Sequence, residues 1–99
     1  MASGFKVKWT DHALAELATT FNYLEENFTD KELNKLAKEI DKVLSLISKN
    51  PKLFPLSKSK GIRKAVIKKF NTMYYWEKNE VVEILSFFSN RQNPESLMD

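Results

Sequence analysis

The sequence contains no cysteine and a single histidine, His12, among its 99 residues. The absence of cysteine excludes disulfide bonds, iron–sulfur clusters, thiolate zinc sites and cysteine nucleophiles. With one imidazole as well, we expect no metal site, and the sequence implies no cofactor. No apolar run approaches the roughly 20 residues of a membrane-spanning helix, and Met1 to Gly4 shows no apolar signal-peptide segment. We therefore expect a cytoplasmic protein with no membrane partner.

Acidic residues are missing between Lys42 and Trp76, although the net charge of the whole protein is a modest +3. Because a solvated surface normally mixes both signs, this distribution favours an anionic partner, either a nucleic acid or an acidic protein segment. A lysine-rich surface that serves only solubility is the alternative. The stretch carries nine basic residues: Lys42, Lys49, Lys52, Lys58, Lys60, Arg63, Lys64, Lys68 and Lys69.

The first half of the chain predicts a short strand followed by two amphipathic helices. Phe5 to Trp9 alternates apolar and basic residues, as expected for a strand with one buried face. Apolar residues at spacings of three and four then predict two helices that pack as an antiparallel hairpin. Thr10 is the expected N-cap of the first helix. The box Thr29-Asp30-Lys31-Glu32 should cap the second helix, which ends at Asn50-Pro51.

The second half of the chain returns to a period of two and predicts three strands. After a loop over Lys52 to Gly61, we expect strands at Ile62 to Lys69, Asn71 to Glu77 and Val81 to Ser89. Lys78-Asn79 fits a two-residue hairpin turn. The chain therefore predicts one α+β domain over residues 1–99 with a core at about 5–94, in which a helical hairpin packs on a small, mostly antiparallel sheet.

Aromatic residues on the last two predicted strands are candidates for a binding surface. Tyr74 and Trp76 share one face of their strand, and we assign Tyr75 to the opposite, helix-packed face. An exposed Tyr74 or Trp76 could stack on nucleic-acid bases. Phe87 and Phe88 also point to opposite faces, and we expect one of them on the open side of the sheet, where it would suit a protein-binding groove.

The ordered set of landmarks resembles the RelE/ParE superfamily of toxins from type II toxin–antitoxin systems, over residues 5–94. The last landmark, a strand followed by Arg-x-x-Pro, looks most like the ParE-type branch, whose members are often named plasmid stabilization proteins. The landmarks are Trp9-Thr10, Asn50-Pro51 with Phe54-Pro55, Gly61-Ile62-Arg63, Asn71-Thr72-Met73-Tyr74-Tyr75 and Asn90-Arg91-Gln92-Asn93-Pro94.

The resemblance implies one of two activities. RelE-like toxins cleave messenger RNA in the ribosomal A site without a metal, whereas ParE-like toxins poison DNA gyrase and need no nuclease site. Both are held inactive by an antitoxin. We expect a ParE-like gyrase inhibitor that arrests growth and forms a hetero-oligomer with a cognate acidic antitoxin. A RelE-like ribosome-dependent endoribonuclease and an inactive toxin-fold binding protein are the alternatives.

The acid–base groups of a nuclease are hard to find in this sequence. RNA cleavage needs a base for the 2′-hydroxyl, an acid for the leaving oxygen and cations for the phosphate. His12 lies far along the chain from the basic strands, and we expect it on the surface of the first helical turn. Thr72 stands where nuclease relatives carry an arginine, three residues before Tyr75, and no glutamate precedes the middle strand.

The resemblance and the charge pattern together give the expected site residues. Arg63 and Arg91 match or lie near recurrent arginines of the superfamily, although both could be surface cations that keep edge strands from pairing. The candidates for target binding are Arg63, Lys64, Lys68, Trp76, Phe87 and Arg91. If the protein were a nuclease, the catalytic candidates would be Arg63, Lys68, Tyr74 and Arg91.

Overall fold

The computed structural model describes residues 4–57 and 61–89, and it has the predicted β-α-α-β-β-β order. Both helices cover one face of a four-stranded sheet with the spatial order β1-β4-β3-β2. β1 runs parallel to β4, and the other neighbours are antiparallel, so the α+β prediction is confirmed. The elements are β1 (Lys6–Trp9), α1 (Asp11–Asn27), α2 (Asp30–Lys49), β2 (Arg63–Ile67), β3 (Asn71–Lys78) and β4 (Val81–Ser89).

Threonine side chains begin both helices, as the sequence predicts. Thr10 Oγ1 accepts a hydrogen bond from the Ala13 N–H at 3.2 Å and donates to the Ile84 carbonyl oxygen at 2.9 Å. This residue therefore caps α1 and ties its start to β4. Thr29 Oγ1 accepts from the Glu32 N–H at 3.3 Å, so the chain turns from α1 into α2 across two residues.

The core lies between the helical hairpin and the sheet. Tyr75 belongs to it and is fully buried, which confirms its assignment to the helix-packed face. Removing each large apolar side chain from water stabilises the fold by about 1.5–3 kcal/mol. The buried apolar residues are Ala13, Leu24, Leu36, Ile40, Val43, Ile47, Ala65, Ile67, Met73, Tyr75, Val82, Ile84 and Phe87.

Two strand ends differ from the predictions by one or two residues, and left-handed residues follow both ends. Lys68 and Lys69 have φ values of 52° and 73°, so β2 ends at Ile67 and not at Lys69. In the β3–β4 hairpin, Lys78 pairs with Val81 and still belongs to β3. The two turn residues are therefore Asn79 and Glu80, with φ values of 52° and 65°, as a type I′ turn requires.

A β-bulge in β4 changes which side chains face the helices. Tyr74 pairs with Ser86, but Tyr75 pairs with Ile84, so Leu85 is an extra residue between two registered pairs. Strict alternation from Ile84 would bury Phe88. The extra residue reverses the order, and Phe87 is 1% exposed whereas Phe88 is 44% exposed. The prediction that Phe87 contacts a target is therefore wrong, because its side chain fills the core.

Candidate functional site

The face of the sheet that turns away from the helices, called the open face below, carries a column of aromatic side chains. Tyr74 and Trp76 alternate along β3 with buried Met73 and Tyr75, so they point to the open side. Cross-strand neighbours share a face, which puts further residues of the other strands beside this column. They are Lys6 and Lys8 of β1, Lys64 and Val66 of β2, Thr72 and Lys78 of β3, and Val81, Glu83, Ser86 and Phe88 of β4.

An open groove of about 780 Å³ lies on this face. Its floor is the row Lys64–Tyr74–Ser86, in which each residue is registered with the next. Apolar side chains and a few hydroxyl groups line it, a mixture that gives contact area together with orientation for a bound segment. The lining residues are Pro55, Leu56, Ser57, Ile62, Lys64, Tyr74, Leu85 and Ser86.

One wall of the groove is the segment 51–57, which runs along the outer edge of β2. The Lys64 N–H donates to the Pro55 carbonyl oxygen at 3.0 Å, and the Ser57 N–H donates to the Ile62 carbonyl oxygen at 2.7 Å. These bonds occupy strand-edge groups that would otherwise be free to pair with another chain. The sheet edge is thereby closed and the groove acquires a side.

Two side chains fix this wall from the helix-packed side. Tyr75 Oη donates to the Pro51 carbonyl oxygen at 2.7 Å, and Arg63 Nη1 donates to the Phe54 carbonyl oxygen at 2.8 Å. Burial raises the pKa of the Tyr75 hydroxyl above its usual value, against smaller opposing effects of the Phe54 backbone and the Arg63 charge. Tyr75 therefore stays protonated and acts as a structural hydrogen-bond donor.

The open face is positively charged because its lysines outnumber its acidic residues in the described part of the chain. Trp76 Nε1 donates to Glu83 Oε1 at 2.7 Å, and Lys78 Nζ lies 4.1 Å from the centre of a Trp76 ring. Glu83 is the one carboxylate among the described residues of this face, against four lysines. An approaching anionic surface would therefore meet a net positive field.

His12 lies elsewhere, on the exposed surface of α1. Its side chain is 70% exposed, and Nε2 is 3.3 Å from Glu16 Oε1. The same carboxylate oxygen accepts from Ser86 Oγ and from the Phe87 N–H, both at 2.8 Å. Glu16 therefore occupies the edge of β4 beyond the end of β1, and His12 belongs to that edge and not to the groove.

Some of the predicted target-binding residues lie on the open face and others lie away from it. Lys64 and Trp76 lie on the open face, and Tyr74, a candidate for nuclease chemistry, joins them. Arg63 shares the helix-packed side with Tyr75 and holds the wall. Lys68 lies in the left-handed turn after β2.

One predicted site residue lies beyond the part of the chain that the structure describes, and some residues that line the groove were not predicted from the sequence. Arg91 is outside the described residues. Leu85, Ser86 and Pro55 line the groove without having been predicted. The sequence does contain a sign of the bulge that places Leu85 and Ser86 in the groove. The adjacent apolar pairs Ile84-Leu85 and Phe87-Phe88 interrupt the period of two that a regular strand would keep.

Two general properties bear on the kind of site. Within residues 4–57 and 61–89, no group of three or more His, Asp or Glu side chains is arranged to hold a metal ion. Over the same residues, no helix has the length and apolar character needed to cross a membrane. The polar groups that line the groove are the Lys64 ammonium group and the hydroxyl groups of Ser57, Tyr74 and Ser86.

Comparison with known proteins agrees with this architecture. None of the curated protein sequences is a significant match. Among solved structures, a chain of the chromosomal ParDE toxin–antitoxin system from P. aeruginosa is similar, with a TM-score of 0.72 and 16% identity over 86% of this chain and 95% of that one. The conserved hypothetical protein HP0894 from Helicobacter pylori is also similar, with a TM-score of 0.51 and 20% identity over 88% of this chain and 96% of that one.

At these identities the two structures show a shared fold. The family of the chain is shown by a sequence-family model. The model of the ParE toxin of type II toxin–antitoxin systems (parDE) matches residues 7–94. That range contains every described helix and nearly every strand residue. The chain belongs to the ParE toxin family of type II toxin–antitoxin systems.

Proposed function

We propose that the protein arrests growth by inhibiting DNA gyrase in the cytoplasm, and that it does so by binding and not by cleaving RNA. The observation that carries this proposal is the composition of the open face. Lys64 and Tyr74 line the groove, and further lysines and Trp76 lie on the same face. The carboxylate of this face, Glu83, accepts a hydrogen bond from Trp76 at 2.7 Å. Such a surface suits an acidic protein partner, since complementary charge speeds encounter and apolar contacts hold the complex.

The acid–base inventory of the described residues supports binding over cleavage. General acid and general base groups each contribute about 10²–10⁴-fold to the rate of such a reaction. The imidazole of His12 lies beside Glu16 at the edge of β4. The Tyr75 hydroxyl is buried and bound to the Pro51 carbonyl oxygen. Neither group lies on the open face with Lys64. The groups that do are the Tyr74 hydroxyl and Glu83, whose carboxylate accepts a hydrogen bond from Trp76.

Family membership supports an antitoxin as the natural partner. We propose that this antitoxin is acidic and contacts the sheet and the helical hairpin. Val66 and Phe88 are 54% and 44% exposed and provide apolar anchors at one end of the open face, and the lysines provide steering. Association should therefore slow as salt rises. Failure of the purified toxin to form a complex with the product of the adjacent reading frame at low salt would contradict this proposal.

The deciding experiment compares two activities of the purified protein. DNA supercoiling by gyrase should be inhibited at concentrations that leave in vitro translation unchanged. Lys64→Glu reverses a charge on the groove floor and should abolish the inhibition, whereas His12→Ala should preserve it. We also expect Arg91→Ala to relieve growth arrest in cells. Full supercoiling activity in the presence of the protein would refute the gyrase target.

The second candidate is a ribosome-dependent messenger RNA endoribonuclease. Tyr74 and Trp76 lie side by side with Lys64 and Lys78 on the open face, a combination that suits base stacking and backbone contact. Primer extension on messenger RNA from arrested cells distinguishes the two. Discrete cuts within codons at the ribosomal A site would favour the nuclease. Arg63, Lys68 and Tyr74 would then be the first residues to test.

A further inference from the structure

An amide oxygen in the interior accepts no hydrogen bond from any residue that the structure describes. Asn71 is 4% exposed, and its Oδ1 is the buried side-chain polar atom for which the described residues provide no partner. The Nδ2 of the same amide donates to the Ile67 carbonyl oxygen at 3.1 Å. This bond fixes the orientation of the amide, because a flipped group would bring two oxygens together. Oδ1 therefore needs a donor from elsewhere.

A small cavity adjoins Asn71, between the start of β3 and the helical hairpin. Its volume is about 20 Å³, and Leu24 and Leu36 form its apolar sides. Glu32 of α2 and Lys68 of the turn after β2 provide the polar sides. A water molecule needs about 10–15 Å³ of such space and two to four polar partners. The cavity therefore has room for one water molecule and for no larger ligand.

We propose that a single structural water occupies this cavity. It donates one hydrogen to Asn71 Oδ1 and the other to the Glu32 carboxylate, and it accepts a hydrogen bond from the Lys68 ammonium group. Three bonds is the usual number for a buried water. A metal ion fits less well, because it would find one amide oxygen and one carboxylate and would meet the positive charge of Lys68.

The water would connect α2 to a turn whose two flanking strands, β2 and β3, are already paired with each other. Lys68 and Lys69 hold left-handed φ values of 52° and 73°, a conformation that non-glycine residues adopt only when their surroundings support it. Glu32 belongs to the first turn of α2, where Thr29 accepts its N–H. The water therefore links the β2–β3 turn to the beginning of α2.

Magnetic relaxation dispersion of ¹⁷O water on the intact protein counts internal waters with long residence times. We expect the wild-type protein to have one more such water than Asn71→Leu, in which an apolar side chain of similar size removes the acceptor. Asn34→Leu, at an exposed position of α2, is the matched control and should leave the count unchanged. Equal counts for wild type and Asn71→Leu would overturn the proposal.

A second measurement keeps the proposal testable if Asn71→Leu does not fold. A crystal structure of the wild-type protein should show one ordered water at about 3 Å from Asn71 Oδ1, and Glu32→Met should weaken or remove that density. A dry cavity would contradict the proposal, as would Lys68 Nζ bonded directly to Asn71 Oδ1 or a metal ion in the cavity.

Discussion

The two faces of the sheet are made from the same strands, yet they hold opposite kinds of residue. On the helix-packed face, Met73, Tyr75 and Ile84 are fully buried, and the one hydroxyl among them is bonded to a backbone carbonyl. On the open face, Tyr74 and Lys64 line a groove. Residues that are neighbours in the chain therefore pack in the core in one case and face the groove in the other. Paired substitutions at adjacent positions should separate the two.

Phe87 and Phe88 give the largest expected difference between the two faces. Phe87→Ala removes a fully buried ring and should lower the free energy of unfolding by about 3–5 kcal/mol, whereas Phe88→Ala should cost less than about 1 kcal/mol. Urea denaturation of both variants measures this. Equal losses would mean that the bulge at Leu85 does not set the register of β4.

Tyr75 and Tyr74 form a second adjacent pair. Tyr75→Phe leaves the buried Pro51 carbonyl oxygen without its donor and should cost about 1–3 kcal/mol. Tyr74→Phe should change stability by less than about 0.5 kcal/mol. The comparison fails if both variants unfold at the wild-type urea midpoint, since the wall of the groove would then not depend on Tyr75.

Because of the Tyr75 hydroxyl, we expect the stability of the folded protein to fall at high pH. Burial raises the pKa of Tyr75 in the folded state, so above about pH 10 the unfolded chain loses this proton while the folded chain retains it. Stability from this group is therefore complete below pH 10 and is lost as the pH rises further. The test spans about pH 9 to 11, on either side of the usual tyrosine pKa. Over this range the urea midpoint of wild type should fall further than that of Tyr75→Phe. Parallel pH profiles would contradict this prediction.

A substitution at Thr29 tests the N-cap of α2, one of the two helices that cover the helix-packed face of the sheet. Thr29→Ala removes the oxygen that accepts the Glu32 N–H and should cost about 1 kcal/mol. Thr29→Asp keeps an acceptor at the N-cap and should restore most of the loss. An unchanged denaturation midpoint in the alanine variant would refute the cap.

Lys64 and Arg63 give the smallest expected effect on stability and the sharpest functional contrast. Lys64→Ala should alter unfolding by less than about 0.5 kcal/mol, yet it should reduce both the rate of antitoxin association and its dependence on salt. Arg63→Ala should instead loosen the segment 51–57, visible as faster amide exchange at Ser57 and Lys64. A loss of association rate in Arg63→Ala alone would reverse these roles.

Local patterns in the sequence predict most of the fold because the determining interactions are themselves local. Thr10 and Thr29 cap helices through bonds to residues three positions away, and the apolar stripes specify which helix faces are buried. The burial of Tyr75 also follows from alternation once Met73 is assigned to the core. These features require no knowledge of which strands become neighbours.

The site was less predictable because it depends on contacts between distant segments. Arg63 looks like a free surface cation in the sequence, but the folded chain brings the Phe54 carbonyl oxygen within 2.8 Å of its guanidinium group. The extra residue Leu85 reverses the orientation of Phe87 only through its register against β3. Of the four open-face lysines, only Lys64 comes from the acid-free stretch between Lys42 and Trp76. Charge counts along the chain therefore did not predict the positive face, nor did they distinguish the residues that build the groove from those that face into it.

The parallel pairing of β1 with β4 has a consequence for the time at which the molecule becomes functional. Thr10, directly after β1, is bonded to Ile84, 74 residues further along the chain. Contacts between such distant segments form late, because a long loop must close before they contribute any stability. During synthesis the first strand therefore lacks its sheet partner until β4 has been made. The groove, which needs β2, β3 and β4 together, is assembled only after β4 has been synthesised, so a nascent chain that has not reached β4 does not yet carry the surface proposed to bind the target.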